Sequence, residues 1–82
     1  MNKRKFLEKI YNSNKNVKFN DLIILVEAFG FVLTRSNGSH LIYKNFDINE
    51  WLNLQNKNGE AKPYQIKQFL EYIEIYNLQM EE

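Results

Sequence analysis

The sequence predicts an α+β fold, in which helices pack on one face of a three-stranded antiparallel sheet. The first observation is two short stretches rich in β-forming residues, 31–36 and 39–43, on either side of Asn37-Gly38. Asn-Gly is the strongest short-range signal for a tight hairpin. The second is apolar residues at helical spacing before residue 30 and after residue 63. A chain of 82 residues holds one small domain.

Three helices are expected. The first covers about residues 2–12 and carries an apolar stripe. The second has Asn20 as its predicted N-cap and Gly30 as its stop, and the third begins at Pro63, which tolerates the first helical turn. The apolar stripes are Phe6, Leu7, Ile10 and Tyr11 in the first helix, Leu22, Leu25, Val26 and Phe29 in the second, and Ile66, Phe69, Leu70 and Ile73 in the third.

The predicted hairpin sets which side chains share a face of the sheet. A two-residue turn at Asn37-Gly38 places Arg35 directly opposite His40. Residues 51–55 form the third strand, and residues 56–60 are expected to be a loop. One predicted face then holds Phe31, Leu33, Arg35, His40 and Ile42, and the other holds Val32, Thr34, Leu41 and Tyr43. Because both faces contain apolar residues, alternation leaves open which one is the core.

Charge divides the chain more sharply than the net value of +1 indicates. Residues 1–18 contain six basic residues and one acidic residue, whereas the remainder contains five basic and nine acidic residues. We therefore divide the chain into a basic N-terminal helix with a polar linker, residues 1–16, and a main domain, residues 17–82. Such a basic arm attracts phosphate backbones, or it only keeps the protein soluble.

Composition excludes several classes of site. The absence of cysteine favours a reducing, cytoplasmic location, and no apolar run is long enough for a membrane span or a signal peptide. One histidine and no cysteine exclude the usual transition-metal clusters, and there is no glycine-rich nucleotide loop. We expect neither a metal nor a cofactor.

His40 is the only histidine, so any imidazole chemistry must use it. Histidine is the side chain that exchanges protons near neutral pH, and a neighbouring Arg35 would hold a phosphate with two hydrogen bonds. A base beside a cation is what phosphodiester cleavage requires. The alternative is that His40 is a packed or surface residue and Arg35 lies over the sheet. Ser39 is not a nucleophile for His40, because adjacent strand residues point to opposite faces.

The aromatic residues of the sheet and the third helix also have two interpretations. Tyr43, Trp51 and Tyr64 are candidates for stacking on nucleic-acid bases. In so small a domain they are also candidates for the core or for a partner-facing surface.

Four segments of the sequence, 18–22, 27–31, 35–43 and 62–68, resemble the HicA (YcfA-like) mRNA interferase toxins, in the family's order. The resemblance runs from about Val17 to the end, and the helix before it resembles an extension found in one branch of the family. It implies a double-stranded-RNA-binding-like fold, metal-independent cleavage of mRNA, and a HicB antitoxin that covers the active site. It also implies a monomer that forms a hetero-oligomer with the antitoxin. The family's Gly-Ser-His motif falls on Gly38, Ser39 and His40, so the resemblance implies that His40 is the catalytic histidine.

The sequence departs from the family in two respects. Residues 56–60 lack the His-x-Gly-Lys loop of many members, and the body is less basic than an RNA-cleaving surface usually is. Our hypothesis is that His40 is the general base and that Lys62 or Tyr64 is the general acid. The residues that position the RNA backbone would be Arg35, Lys44, Lys57 and Lys62. The alternatives are a non-catalytic RNA-binding module and a domain that only binds another protein.

Overall fold

The computed structural model describes residues 1–81, in which three helices accompany one four-stranded sheet. The strand order is β1-β2-β3-β4, and every neighbouring pair is antiparallel. The α+β class is confirmed, with one strand more than predicted. The elements are α1 Lys3–Asn12, α2 Phe19–Ala28, β1 Val32–Asn37, β2 His40–Asn45, β3 Glu50–Lys57, β4 Glu60–Ala61 and α3 Pro63–Tyr76.

The extra strand lies in the segment that was predicted to be a loop. Asn58 and Gly59 have φ angles of 52° and 86°, so they form a tight turn that folds β4 back on β3. Positive φ at both central residues defines the type I′ turn, for which Asn-Gly is the preferred pair. Lys18 then bridges Glu60, so the segment before α2 continues the sheet beyond β4.

The β1–β2 turn was predicted one residue too early. The turn residues are Gly38 and Ser39, and Asn37 pairs with His40 as the last residues of the two strands. Only Gly38 has a positive φ, 62°, which suits a turn that begins with glycine. Arg35 consequently pairs with Ile42, and the predicted position directly opposite His40 is wrong.

A β-bulge in β1 changes which residues share a face. Leu33 pairs with Tyr43, but the next pair is Arg35 with Ile42, so Thr34 is the additional residue. A bulge redirects side chains, and here it puts Leu33 on the side of Tyr43 and leaves Arg35 on the side of Ile42. The predicted placements before Arg35 are therefore reversed: Leu33 and the buried Phe31 belong to the side of Tyr43, whereas Thr34 and Val32, which pairs with Lys44, belong to the side of Ile42. The prediction that Arg35, His40 and Ile42 share a face is confirmed.

The helices cover the other face of the sheet, which forms the core. Its central strands contribute Tyr43, Leu52 and Leu54, of which the two leucines are completely buried. The predicted stripe of α3 faces them, with Ile66 and Phe69 fully buried. The remaining members of this cluster are Phe6, Ile10, Val17, Phe19, Leu22, Leu25, Val26, Phe29, Phe31, Ala61 and Ile73.

The start of α2 differs from the prediction. α2 begins at Phe19 with Lys18 as its N-cap, so Asn20 lies inside the helix and the predicted cap is wrong. Phe19 is buried, and its backbone N–H donates to the Gly59 carbonyl, which draws the helix start toward the β3–β4 turn. The N-terminal helix, α1, packs into the same core through Phe6 and Ile10.

Asn45 is a buried polar residue that joins the sheet to the end of α2. Its Nδ2 donates to the Phe29 carbonyl at 3.1 Å, and its Oδ1 accepts from the backbone N–H of Asp47 at 3.0 Å. The side chain is 3% exposed. It therefore pairs backbone groups that would otherwise be buried without partners.

Candidate functional site

The uncovered side of the sheet, here called the open face, carries the candidate site. By the pairing of β1, β2 and β3, its side chains form rows across the strands. Asn37, His40 and Gln55 form one row, and the next contains Arg35, Ile42 and Asn53. The members of the open face on these three strands are Val32, Thr34, Arg35, Asn37, His40, Ile42, Lys44, Trp51, Asn53, Gln55 and Lys57.

His40 begins β2 and is partly exposed on the open face. Its Nδ1 lies 3.2 Å from Oδ1 of Asn53, one row away on β3. An amide oxygen only accepts hydrogen bonds, so this contact is a hydrogen bond in the tautomer that carries its proton on Nδ1, and that tautomer has its lone pair on Nε2. The arrangement presents an oriented imidazole with a basic nitrogen directed away from its support.

Gly38 and Ser39 support His40 through the backbone. The Ser39 carbonyl accepts from the backbone N–H of Asn56 at 2.9 Å, which fixes the start of β2 against β3. Gly38 provides the left-handed φ of the turn, and no atom lies within 4 Å of a Cβ built on it. Conformation, rather than space, is what requires glycine at this position.

Three of the four predicted cations lie on the open face. Lys44 is two rows from His40, Arg35 is one row away, and Lys57 follows Gln55 on β3. Lys62 is instead the N-cap of α3, where it lines a cleft of about 590 Å³ with Lys57 and Tyr64. Lys57 thus borders both the open face and this cleft, whereas Lys62 lines the cleft and is separated from the open face.

The fold also segregates charge. Among the described residues, the open face carries Arg35, Lys44 and Lys57 and has no carboxylate on β1, β2 or β3. On β4 it carries one carboxylate, Glu60, which pairs with Lys57, so cations outnumber carboxylates by three to one. Glu50 lies on the opposite side of β3, where its carboxylate accepts a hydrogen bond from the Tyr76 hydroxyl. The weakly basic composition of the whole chain therefore conceals a positive sheet surface.

The three candidate aromatic residues have different environments. Tyr43 is 2% exposed, and burial, followed by Glu27 near its hydroxyl, raises the pKa of Tyr43 to about 12. It belongs to the core and is inaccessible to a base. Trp51 is 48% exposed on the open face, and Tyr64 is 65% exposed at the start of α3.

Asn53 and Gln55 were not recognised as site residues from the sequence. They occupy the polar positions of β3, alternating with buried Leu52 and Leu54. Alternation alone could have assigned both amides to one face of the strand. Their proximity to His40 depends on the pairing of β2 with β3, which the sequence does not specify.

Comparison with known proteins identifies the family. A family model described as the HicA toxin of bacterial toxin–antitoxin systems matches residues 19–75, which is more than half of the chain and includes His40. This chain belongs to the HicA toxin family. As a HicA toxin it is one component of a toxin–antitoxin pair, and its α+β architecture agrees with the double-stranded-RNA-binding-like fold that the resemblance implied. Searches of curated proteins and of solved structures return no significant match.

Two further observations concern the described part of this HicA toxin. Residues 1–81 contain no group of three or more histidine, cysteine, aspartate or glutamate side chains arranged to hold a metal ion. Within the same residues, none of the helices has the length and hydropathy needed to cross a bilayer.

Proposed function

We propose that this HicA toxin is an endoribonuclease that cleaves mRNA without a metal ion, with His40 as its general base. The observation that carries the proposal is the hydrogen bond between His40 Nδ1 and Asn53 Oδ1 on the positive open face. It orients the only imidazole of the chain and favours the tautomer with its lone pair on Nε2, on a surface suited to a polyanion.

The proposed reaction starts at a ribose 2′-hydroxyl. Nε2 of His40 takes the hydroxyl proton, the 2′-oxygen forms a bond to the adjacent phosphorus, and the bond from phosphorus to the 5′-oxygen breaks. The products are a 2′,3′-cyclic phosphate and a 5′-hydroxyl, whose proton comes from a general acid. Lys62 and Tyr64 remain the candidates for this acid, since both line the cleft that Lys57 borders.

The cations of the open face would bind the RNA backbone. Arg35 and Lys57 flank His40 on either side along the strands, so the reacting phosphate would lie between positive groups. Lys44 would bind a more distant phosphate, and Lys62 one at the edge of the site. Cations placed around developing negative charge lower the barrier to phosphoryl transfer.

The biological setting follows from the same proposal. A HicB-like antitoxin would silence the toxin by covering the open face, and the target mRNA places the reaction in the cytoplasm. The family match begins at Phe19, which supports dividing the chain into an extension, residues 1–16, and a toxin domain, residues 17–82.

The test is cleavage of an mRNA fragment in the presence of a chelator. We expect the wild type to leave 2′,3′-cyclic phosphate ends, and a substrate with a 2′-deoxy group at the cleaved nucleotide to resist. His40→Ala should abolish cleavage, whereas Asn37→Ala, in the same row, should retain most of it. Circular dichroism would establish that both variants are folded.

Two outcomes would contradict the proposal. Full activity of folded His40→Ala would remove His40 from the reaction. Intact RNA at wild-type concentrations that bind it, with a strong dependence of affinity on salt, would instead identify a non-catalytic RNA-binding module.

A further inference from the structure

We infer that Trp51 and a recess beside it form a subsite for one unpaired nucleobase of a single-stranded RNA. The inference rests on the proposed function in taking RNA as the ligand. It adds a specificity-determining site next to the groups that cleave, with Arg35 at the boundary between the two.

The recess is built by the bulge in β1. Thr34, Arg35, Ile42 and Trp51 line a shallow cavity of about 280 Å³. This volume is just below the roughly 300–1,000 Å³ of drug-sized ligand sites, so the recess suits a single planar ring system and nothing larger. The bulge brings Thr34 and Arg35 together at the rim. The Thr34 hydroxyl donates to the Ile42 carbonyl at 2.9 Å and can still accept from a base edge, whereas the Arg35 guanidinium can donate to a base edge or a phosphate.

Lys44 contacts the Trp51 ring, which is the aromatic wall of the subsite. Its Nζ lies 4.6 Å from the ring centroid of Trp51 and 4.6 Å from that of Phe46. A cation between two rings limits the positions that the indole can adopt, and it also keeps a positive charge beside the recess. Trp51 thus offers an oriented aromatic surface although it is 48% exposed.

The subsite and His40 are separated along the direction of the strands. Lys44 pairs with Trp51, and His40 is four residues earlier on β2, which corresponds to about 13 Å. This separation sets the length of single strand that joins a base bound at Trp51 to the phosphate at His40. A base bound at Trp51 would therefore set which phosphate reaches His40.

Charge complementarity favours RNA as the occupant. Arg35 and Lys44 border the aromatic surface, and on β1, β2 and β3 the described residues of the open face include no carboxylate. Exposed aromatic residues interspersed with cations are the arrangement by which proteins bind single strands. A surface built only for an apolar protein partner would not require both cations.

Trp51 is the only tryptophan, so its emission reports directly on the subsite. The experiment titrates full-length His40→Ala protein, in which cleavage is blocked, with an RNA hexanucleotide. Stacking should quench the emission to saturation. In the same background, affinities of Trp51→Leu, Trp51→Phe and Tyr11→Leu would be measured by anisotropy of labelled RNA.

We expect Trp51→Leu to weaken RNA binding at least about fivefold, the lower end of what one stacked base contributes. Trp51→Phe should retain most of the affinity, and Tyr11→Leu, an exposed aromatic on α1, should not change it. RNA binding without a change in emission, or with equal affinity for Trp51→Leu, would overturn the subsite and assign the aromatic surface to a protein partner.

The two proposals fail in different ways. Quenching by RNA together with an inactive wild type would preserve the subsite and refute the ribonuclease. Cleavage by the wild type without quenching in the His40→Ala protein would refute the subsite and preserve the ribonuclease.

Discussion

Replacing Asn53 by aspartate tests whether His40 is the group whose ionisation controls cleavage. The wild-type amide accepts a hydrogen bond from Nδ1 at 3.2 Å. A carboxylate at the same position would stabilise the protonated imidazole, and the protonated form cannot act as a base. The rising limb of the pH–rate profile should therefore move to higher pH.

The size of the shift follows from the contact distance. Two unit charges 3.2 Å apart attract by about 1.3 kcal/mol at the dielectric constant of water, the appropriate limit for an exposed pair. Since one pH unit corresponds to 1.36 kcal/mol, the limb should move by about one unit. Asn53→Ala instead removes an ordinary neutral hydrogen bond, worth about 0.5–1.5 kcal/mol, and should slow cleavage about two- to twelvefold without a comparable shift.

The assay is single-turnover cleavage of a labelled RNA from pH 5.5 to pH 8.5 at saturating enzyme, so that weaker RNA binding does not affect the rate. Asn20→Asp, at an exposed position of α2, is the matched control, because it makes the same change in net charge away from the open face. Superimposable limbs for wild type and Asn53→Asp would refute the assignment of His40 as the base. A shift shared by Asn20→Asp would attribute the effect to net charge.

Two stability predictions follow from buried polar groups. Unfolded tyrosine ionises near its ordinary pKa of 10.0, whereas the raised pKa of Tyr43, about 12, keeps the folded form protonated. Unfolding between these pH values releases a proton, so the free energy of unfolding of the wild type should fall from pH 10 to pH 12. In urea titrations Tyr43→Phe should lose less free energy of unfolding over that interval. Parallel declines of the two proteins would contradict this. Asn45→Ala should lower the free energy of unfolding by about 1–3 kcal/mol because the Phe29 carbonyl loses its donor. An unchanged urea midpoint would refute this prediction and show that water replaces the amide.

The sequence predicts those elements whose signals are local. Pro63 and the apolar spacing after it identify α3, and alternation around Leu52 and Leu54 identifies β3. The strand β4 was missed because two residues are too few to show a period. The Asn58-Gly59 pair that forms its turn nevertheless carries the same signal that was attributed to Asn37-Gly38.

The candidate site was predictable only in part, because it depends on pairing between strands. The motif locates His40, but the turn at Gly38-Ser39 competes locally with one at Asn37-Gly38, and neighbouring strands decide between them. The bulge at Thr34 then alters the alternation of β1, which no periodic pattern reveals. For the same reason the contact between Asn53 and His40 requires the register of β2 on β3.

The two margins of the sheet differ in their capacity for further strand pairing. Beyond β4, the segment around Lys18 already occupies the backbone groups, since Ala61 N–H donates to the Val17 carbonyl. β1 ends the sheet on the other side and is exposed along its whole length. An extended peptide could therefore add to this sheet only along β1. There the β-bulge at Thr34 interrupts the row of unpaired backbone groups to which aggregating chains would otherwise pair.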